Sequence, residues 1–247
     1  MDSPDCHDLA TLAIHIGCAP DPVTGDVVPP IHVASTYVQD RPGQLRDGYE
    51  YGRCANPTTN AFAGAIAALE GARNGFAFPS GMSAEDTLIR LLARPGDQVV
   101  HSTDVYGGTH KLLSVINPAE GIASESVDLT DVDVAARAIR RARPQIVWVE
   151  TPSNPFLTVT DIAAIAELTH EVGGLLVVDN TFATPVLQRP LDLGADAVVH
   201  STTKYVAGHS DVVGGAFVLR DDLTLPAHVT PFFDEADAAA EAVKLQM

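Results

Sequence analysis

One lysine, Lys204, sits in the stretch HSTTKYVAGHS (His200 to Ser210), between hydroxyls, a glycine and two histidines, directly after the apolar run ADAVV. A strand ending in such a run delivers the residues behind it to one rim of a sheet, so Ser201, Thr203 and Lys204 are expected together at a strand end. An amine beside desolvating strand ends holds its proton less tightly and becomes a nucleophile. A lone lysine is more often a solvated surface residue, but here hydroxyls flank it, Gly208 permits close backbone approach, and no second charge crowds it. Asp179 closes the run GLLVVD in the same manner. Burying a carboxylate there is costly unless a cation faces it, either Lys204 itself or a protonated nitrogen of a ligand. PSGM follows GFAF and opens a helix, so the amides of Gly81 and Met82 point outward with the positive end of the helix dipole and suit a phosphate. An ordinary serine-capped helix start has the same sequence. Tyr106 precedes Gly107 and Gly108, which leaves its ring room to lie over a flat ligand, although a half-buried core aromatic looks the same in sequence. Glu150 and Asn154, in ETPSNP, follow the run QIVWV.

These residues share a position relative to the elements that carry them. From about Asn56 onward, strand-like and helical patterns alternate with short turns between them, which predicts an α/β fold with a mainly parallel sheet covered by helices on both faces. Phe62, Ile66 and Leu69 recur at helical spacing and Gly71 closes that helix. GFAF, QVVHS, SESVD, QIVWVE, GLLVVD and ADAVV read as strands, and AFVLRDD as a last one. SGMSAEDTLIRLLA, YGGTHKLLSVI, DVAARAIRRA and DIAAIAELTHEV read as the helices between them. In such sheets the ligand crevice lies outside the carboxyl ends of the strands, where the candidate residues fall. Residues 1–55, with prolines at 20, 22, 29, 30 and 42, read as an extended arm, residues 56–223 as the main domain, and residues 224–247 as a short Ala-rich, acidic tail.

Composition removes several alternatives. The 247 residues carry 32 Asp and Glu against 15 Lys and Arg, a net charge of -17, which repels nucleic acid and anionic membrane surfaces. No run of about 18 apolar residues marks a membrane span, and MDSPDCHD lacks the features of a secretion signal, so a cytoplasmic protein is expected. Cys6, Cys18 and Cys54 fit neither a disulfide framework nor a zinc site, and the histidines lack metal-binding spacing, so no metal is expected. G-x-G-x-x-G, G-x-x-x-x-G-K-[ST] and G-x-S-x-G are all missing, which takes away the usual support for nicotinamide, nucleotide triphosphate and serine-hydrolase chemistry. The arginines at 137, 140, 141 and 143 read as a solvated helix face.

A phosphate seat, a carboxylate, a nucleophilic lysine and a stacking ring are the parts that hold pyridoxal phosphate. The chain resembles the Cys/Met-metabolism family of pyridoxal-phosphate enzymes, which includes cystathionine gamma-synthase, gamma-lyase and beta-lyase. HIGCAPDPVTGDVVPPIHVASTY, YEYGRCANPTTN, FPSGMSA, DVYGGTH, WVETPSNP, VVDNTFATP and HSTTKYVAGHSDVVGGA carry the resemblance, in the family's order, to about residue 220.

The resemblance implies the large domain of a fold type I pyridoxal-phosphate-dependent transferase, with most of the usual C-terminal small domain missing after about residue 223. It implies that Lys204 forms the internal aldimine and later moves the α proton, and that Asp179 pairs with the pyridine nitrogen. Tyr106 would stack on the ring and assist a leaving group at the γ carbon. Gly81, Met82, Ser201 and Thr203 would hold the phosphate, with Asn154 and Thr181 near the ring and Glu150 bracing a loop. Tyr51 and Arg53 would reach the neighbouring site of a homodimer or homotetramer. The implied reaction is γ-replacement or γ-elimination on cystathionine or an O-acylhomoserine, and Gly108, where methionine gamma-lyases typically have cysteine, tilts the resemblance towards cystathionine chemistry. The alternative is a catalytically weak remnant that binds pyridoxal phosphate as a scaffold or interaction protein.

Overall fold

A computed structural model of the protein describes residues 8–226 and 228–229. The chain opens with a short helix α1 (Leu9–His15), capped by the Asp8 carboxylate, and a small antiparallel pair, β1 (Gln39–Arg41) and β2 (Gln44–Leu45). Between and around these, residues 8–55 run mostly without regular structure, and Val23, Val27, Val28, Ile31 and Val33 are exposed. The prolines explain this, because each removes a backbone donor and fixes φ.

The regular fold then begins. Helix α2 (Pro57–Glu70) is capped by Asn56, whose side chain accepts from the Thr58 and Thr59 amides, and it stops at Gly71, which takes the left-handed conformation at φ 84°. There follow β3 (Asn74–Phe78), α3 (Gly81–Leu92), β4 (Gln98–Ser102), α4 (Gly107–Lys111), a π-helical turn over Leu112–Ile116, α5 (Asn117–Ala119), β5 (Ala123–Val127), α6 (Val132–Ala142), β6 (Ile146–Glu150), α7 (Ile162–Glu171), β7 (Leu175–Asp179), α8 (Thr184–Leu187), a 3-10 turn at Pro190–Leu193, β8 (Ala197–His200) and β9 (Gly215–Leu219).

Strands β3 to β9 form one sheet in the order β3-β9-β8-β7-β6-β4-β5, in which β9 runs antiparallel to both neighbours and the other pairings are parallel. The continuous apolar runs follow from burial on both faces. Ile146, Trp148, Val177, Val199 and Phe217 pack on one face against Leu88, Ile89 and Leu92 of α3 and Leu112 and Leu113 of the π-helical turn. Val147, Val149, Leu176 and Val178 pack on the other against α6 and α7, while Ile66 and Ala67 of α2 cover Ala216 and Val218.

Two expected elements differ in detail. YGGTHKLLSVI is helical, but its second half widens into the π-turn, where the Asn117 amide donates to the Leu112 carbonyl. Pro118 accounts for this, since its ring has no N–H and clashes with the carbonyl four residues earlier. The strand expected over AFVLRDD ends at Leu219. Arg220 instead pairs with Asp196 and Asp222, and Asp221 pairs with Arg73. The Ala-rich run DEADAAAEAVKLQ lies outside the described residues.

Candidate active site

Because β3, β4, β6, β7 and β8 point the same way, the residues following them meet at one rim, and the approach to β9 returns to it. A cavity of about 280 Å³ opens there. Its walls bring together Gly81, Met82, Tyr106, Asn154, Asp179, Thr181, Ser201, Thr203 and Lys204. Tyr51 and Arg53 are not among them. The Arg53 guanidinium lies 5.1 Å from the centre of the Tyr51 ring, and Arg53 lines a separate groove with Thr58, Phe62 and Val212.

The start of α3 forms one wall. Ser80 caps the helix by accepting from the Ser83 amide at 3.1 Å, and the Ser80 carbonyl accepts from the Ala84 amide. Helix geometry leaves the Gly81 and Met82 amides without an intrahelical acceptor, directed at the cavity with the positive dipole end. Gly81 is required here because a Cβ would stand 2.7 Å from that of Ser201, so the two halves of the seat touch. The Ser201 hydroxyl makes no hydrogen bond among the described residues. That of Thr203 donates to the Gly214 carbonyl at 3.1 Å and accepts from the Gly214 amide at 3.0 Å, which shapes the loop after β8.

Opposite stands Asp179, 5% exposed at the end of β7. Its Oδ1 accepts from the Thr181 amide at 2.9 Å, and Thr181 Oγ1 in turn accepts from the Ser201 amide at 2.8 Å. Burial pushes the Asp179 carboxyl above its ordinary range, and the bonds from Thr181 pull it part of the way back. Among the described residues no ion pair reaches Asp179 or Lys204, so the lysine does not neutralise the aspartate.

Glu150 fixes two other walls at once. The Tyr106 amide donates to its Oε2 at 2.6 Å and the Asn154 amide to its Oε1 at 2.7 Å, so one carboxyl holds the loops after β4 and β6. Behind the site, Glu70 Oε1 accepts from Asn180 Nδ2 at 2.8 Å and lies 2.6 Å from His200 Nε2. Gln188 links Asn180 Oδ1 to the Thr151 carbonyl, each at 2.9 Å. This buried network ties the ends of β6, β7 and β8 to α2.

Ser80, Glu85, Pro152, Phe182 and Val213 also line the cavity. Sequence reasoning missed these, and Glu85 is the informative omission. It stands four residues after Gly81 and three before Leu88, so helical spacing alone puts it on the buried stripe of α3. Burial, followed by the charges of Asp179 and Glu150, pushes Glu85 up to about 8 against the Thr109 hydrogen bond. Glu150 rises likewise to about 8, through burial and then Asp179, with its two amide donors opposing. The cavity therefore gathers three acids that resist ionisation and, among the described residues, one cationic side chain. A planar ligand with a protonated nitrogen and an anionic tail matches Asp179 at one wall and the α3 amides at another.

Known proteins give the same picture. The family described as Cys/Met metabolism PLP-dependent enzyme matches residues 10–237. The chain is 50% identical over 213 residues to cystathionine gamma-synthase of Mycobacterium tuberculosis, covering 86% of this chain and 55% of the relative. It is 49% identical over 218 residues to cystathionine beta-lyase of Coxiella burnetii, covering 88% and 56%. Among solved structures, metB of Corynebacterium glutamicum superposes with a TM-score of 0.89 at 44% identity over 99% of this chain and 60% of that one. Cystathionine gamma synthase of Xanthomonas oryzae pv. oryzae, in complex with cystathionine, superposes at 0.86 with 40% identity over 98% and 59%. The chain thus spans a little over half the length of the relatives it matches.

Proposed function

The chain belongs to the Cys/Met metabolism family of pyridoxal-phosphate-dependent enzymes, and from that premise we propose that it serves transsulfuration, acting on cystathionine or an O-acylhomoserine by replacement or elimination at the γ carbon. The observation that carries this reading is the buried Asp179, which makes no ion pair among the described residues, in one cavity with Lys204 and the first amides of α3. When bound, pyridoxal phosphate supplies an electron sink for charge developing on a substrate's carbon skeleton.

The chain's own residues do the rest. Asp179 would hold the ring nitrogen and favour its protonated form. The Gly81 and Met82 amides and the Ser201 hydroxyl hold the phosphate, and Thr203 holds the loop that presents Ser201. Tyr106, Asn154 and Thr181 line the same cavity and would contact the ring. Lys204 Nζ would anchor the cofactor and move protons to and from the substrate carbons, and Tyr106 Oη would assist the departing group. Glu150 is a positioning residue, since it acts through Tyr106 and Asn154.

The reading includes a homodimer or homotetramer in which Tyr51 and Arg53 serve the neighbour's site. Their place outside their own cavity and the exposed valines of residues 23–33 support it. It also includes a cytoplasmic location; no helix among the described residues is long and apolar enough to cross a membrane. The test is to supply the cofactor-loaded protein with cystathionine, or with an O-acylhomoserine and cysteine, beside Lys204→Ala. Turnover that vanishes in the variant supports the reading. Equal turnover in both, or none in either, overturns it.

A further inference from the structure

A buried acid on the apolar stripe of a helix needs a partner, and among the described residues Glu85 makes no ion pair. It is 3% exposed on α3 beside Ala84, Leu88 and Ile89, and its Oε2 accepts from the Thr109 hydroxyl at 2.7 Å. It lines the same cavity as Asp179 and Glu150, with Lys204 the one cationic side chain there among the described residues. The other elements packed on α3 offer no counter-charge. β3 and β9 carry no titratable residue, α4 contributes His110 and Lys111, both exposed, and His200 at the end of β8 is engaged by Glu70. Glu85 and Asp179, buried in one small cavity, do not both ionise cheaply. A ring nitrogen that carries a proton relieves both.

We propose that Glu85 is a second carboxyl of the cofactor site, a charge-setting residue that adds to the hold of Asp179 on the protonated ring nitrogen of pyridoxal phosphate. The inference rests on the cofactor reading above. Burial and the neighbouring Asp179 carboxyl push Glu85 up to about 8, so its contribution grows as the solution becomes alkaline.

The experiment compares the dissociation constant of pyridoxal phosphate for the protein and for Glu85→Gln, read from the visible absorption band of the lysine-bound cofactor. The amide keeps the size of the side chain and its contact with Thr109, and it removes the charge. The readout is the ratio of the two dissociation constants at each pH. That ratio is expected near one at about pH 6.5, rising to about tenfold weaker binding by the variant at about pH 9. A ratio that stays flat, or that falls, overturns the proposal.

Thr109→Val provides an independent reading should the amide variant fail to fold. The Thr109 hydroxyl lowers the proton affinity of Glu85, so its loss should move the alkaline transition in cofactor affinity to higher pH. A transition that does not move contradicts the proposal. No visible band in the unaltered protein at any pH would remove the cofactor reading and the inference together, whereas a band with a flat ratio removes the inference alone.

Discussion

Asp179 is costly to the protein on its own, because a buried carboxyl without a cation destabilises the fold that contains it. Asp179→Asn keeps the acceptor for the Thr181 amide and removes the charge. It should raise the melting temperature of the cofactor-free protein by about 2–4 °C per kcal/mol gained, while weakening pyridoxal phosphate binding. An unchanged melting temperature in a scanning thermal melt would deny that the site is strained. Glu85 and Glu150 act in the same direction. Their folded values near 8, against an ordinary 4.5, mean that between those limits the folded chain holds protons the unfolded chain has released. Stability of the cofactor-free protein should therefore fall as pH rises through that window and level off above it. Urea melts across the window test this, and Glu85→Gln should flatten the slope. Lys204, Asp179 and Gly81 were legible in the sequence because each directly follows a recognisable strand or turn. Glu85 was overlooked although its spacing from Gly81 and Leu88 puts it on the buried stripe of α3, because a glutamate in a helical pattern is ordinarily a solvated residue.

Among the elements, the close approach of β9 to the start of α3 holds the proposed cofactor seat together. A Cβ on Gly215 would stand 2.1 Å from the Ser80 carbonyl oxygen and 2.7 Å from the Gly81 nitrogen. Gly215→Ala must push the cap of α3 away, and it should cost about 1–3 kcal/mol in a urea melt and loosen cofactor binding as well. An alanine variant with native stability would show that this contact is not tight. The alternation of strands and helices was readable from period alone, since buried β-branched runs and amphipathic runs differ over only a few residues. The antiparallel insertion of β9 between β3 and β8 was not readable, because pairing partners depend on which edges remain open once the parallel strands have assembled. The Glu70–His200–Asn180 network lay hidden for the same reason, its members being 130 and 110 residues apart in sequence.

At the scale of the whole molecule, the proposed oligomer makes a strong prediction. If Arg53 completes the neighbour's site, Lys204→Ala and Arg53→Ala should each be nearly inactive alone, yet a refolded mixture should recover about a quarter of the sites, because half of the pairs are mixed and each mixed pair holds one intact site. No recovery would assign Arg53 to its own chain. The prolines of residues 8–55 made the scarcity of regular structure there legible, but not what that segment packs against, since exposed valines name no partner. The central claim is that Lys204 holds pyridoxal phosphate, and the chain's three lysines, Lys111, Lys204 and Lys244, make it decisive to test. The protein is incubated with pyridoxal phosphate, reduced with borohydride and mapped by peptide mass. A single cofactor adduct on the peptide containing Lys204 is the predicted result; no adduct, or one carried by Lys111 or Lys244 instead, would contradict the account.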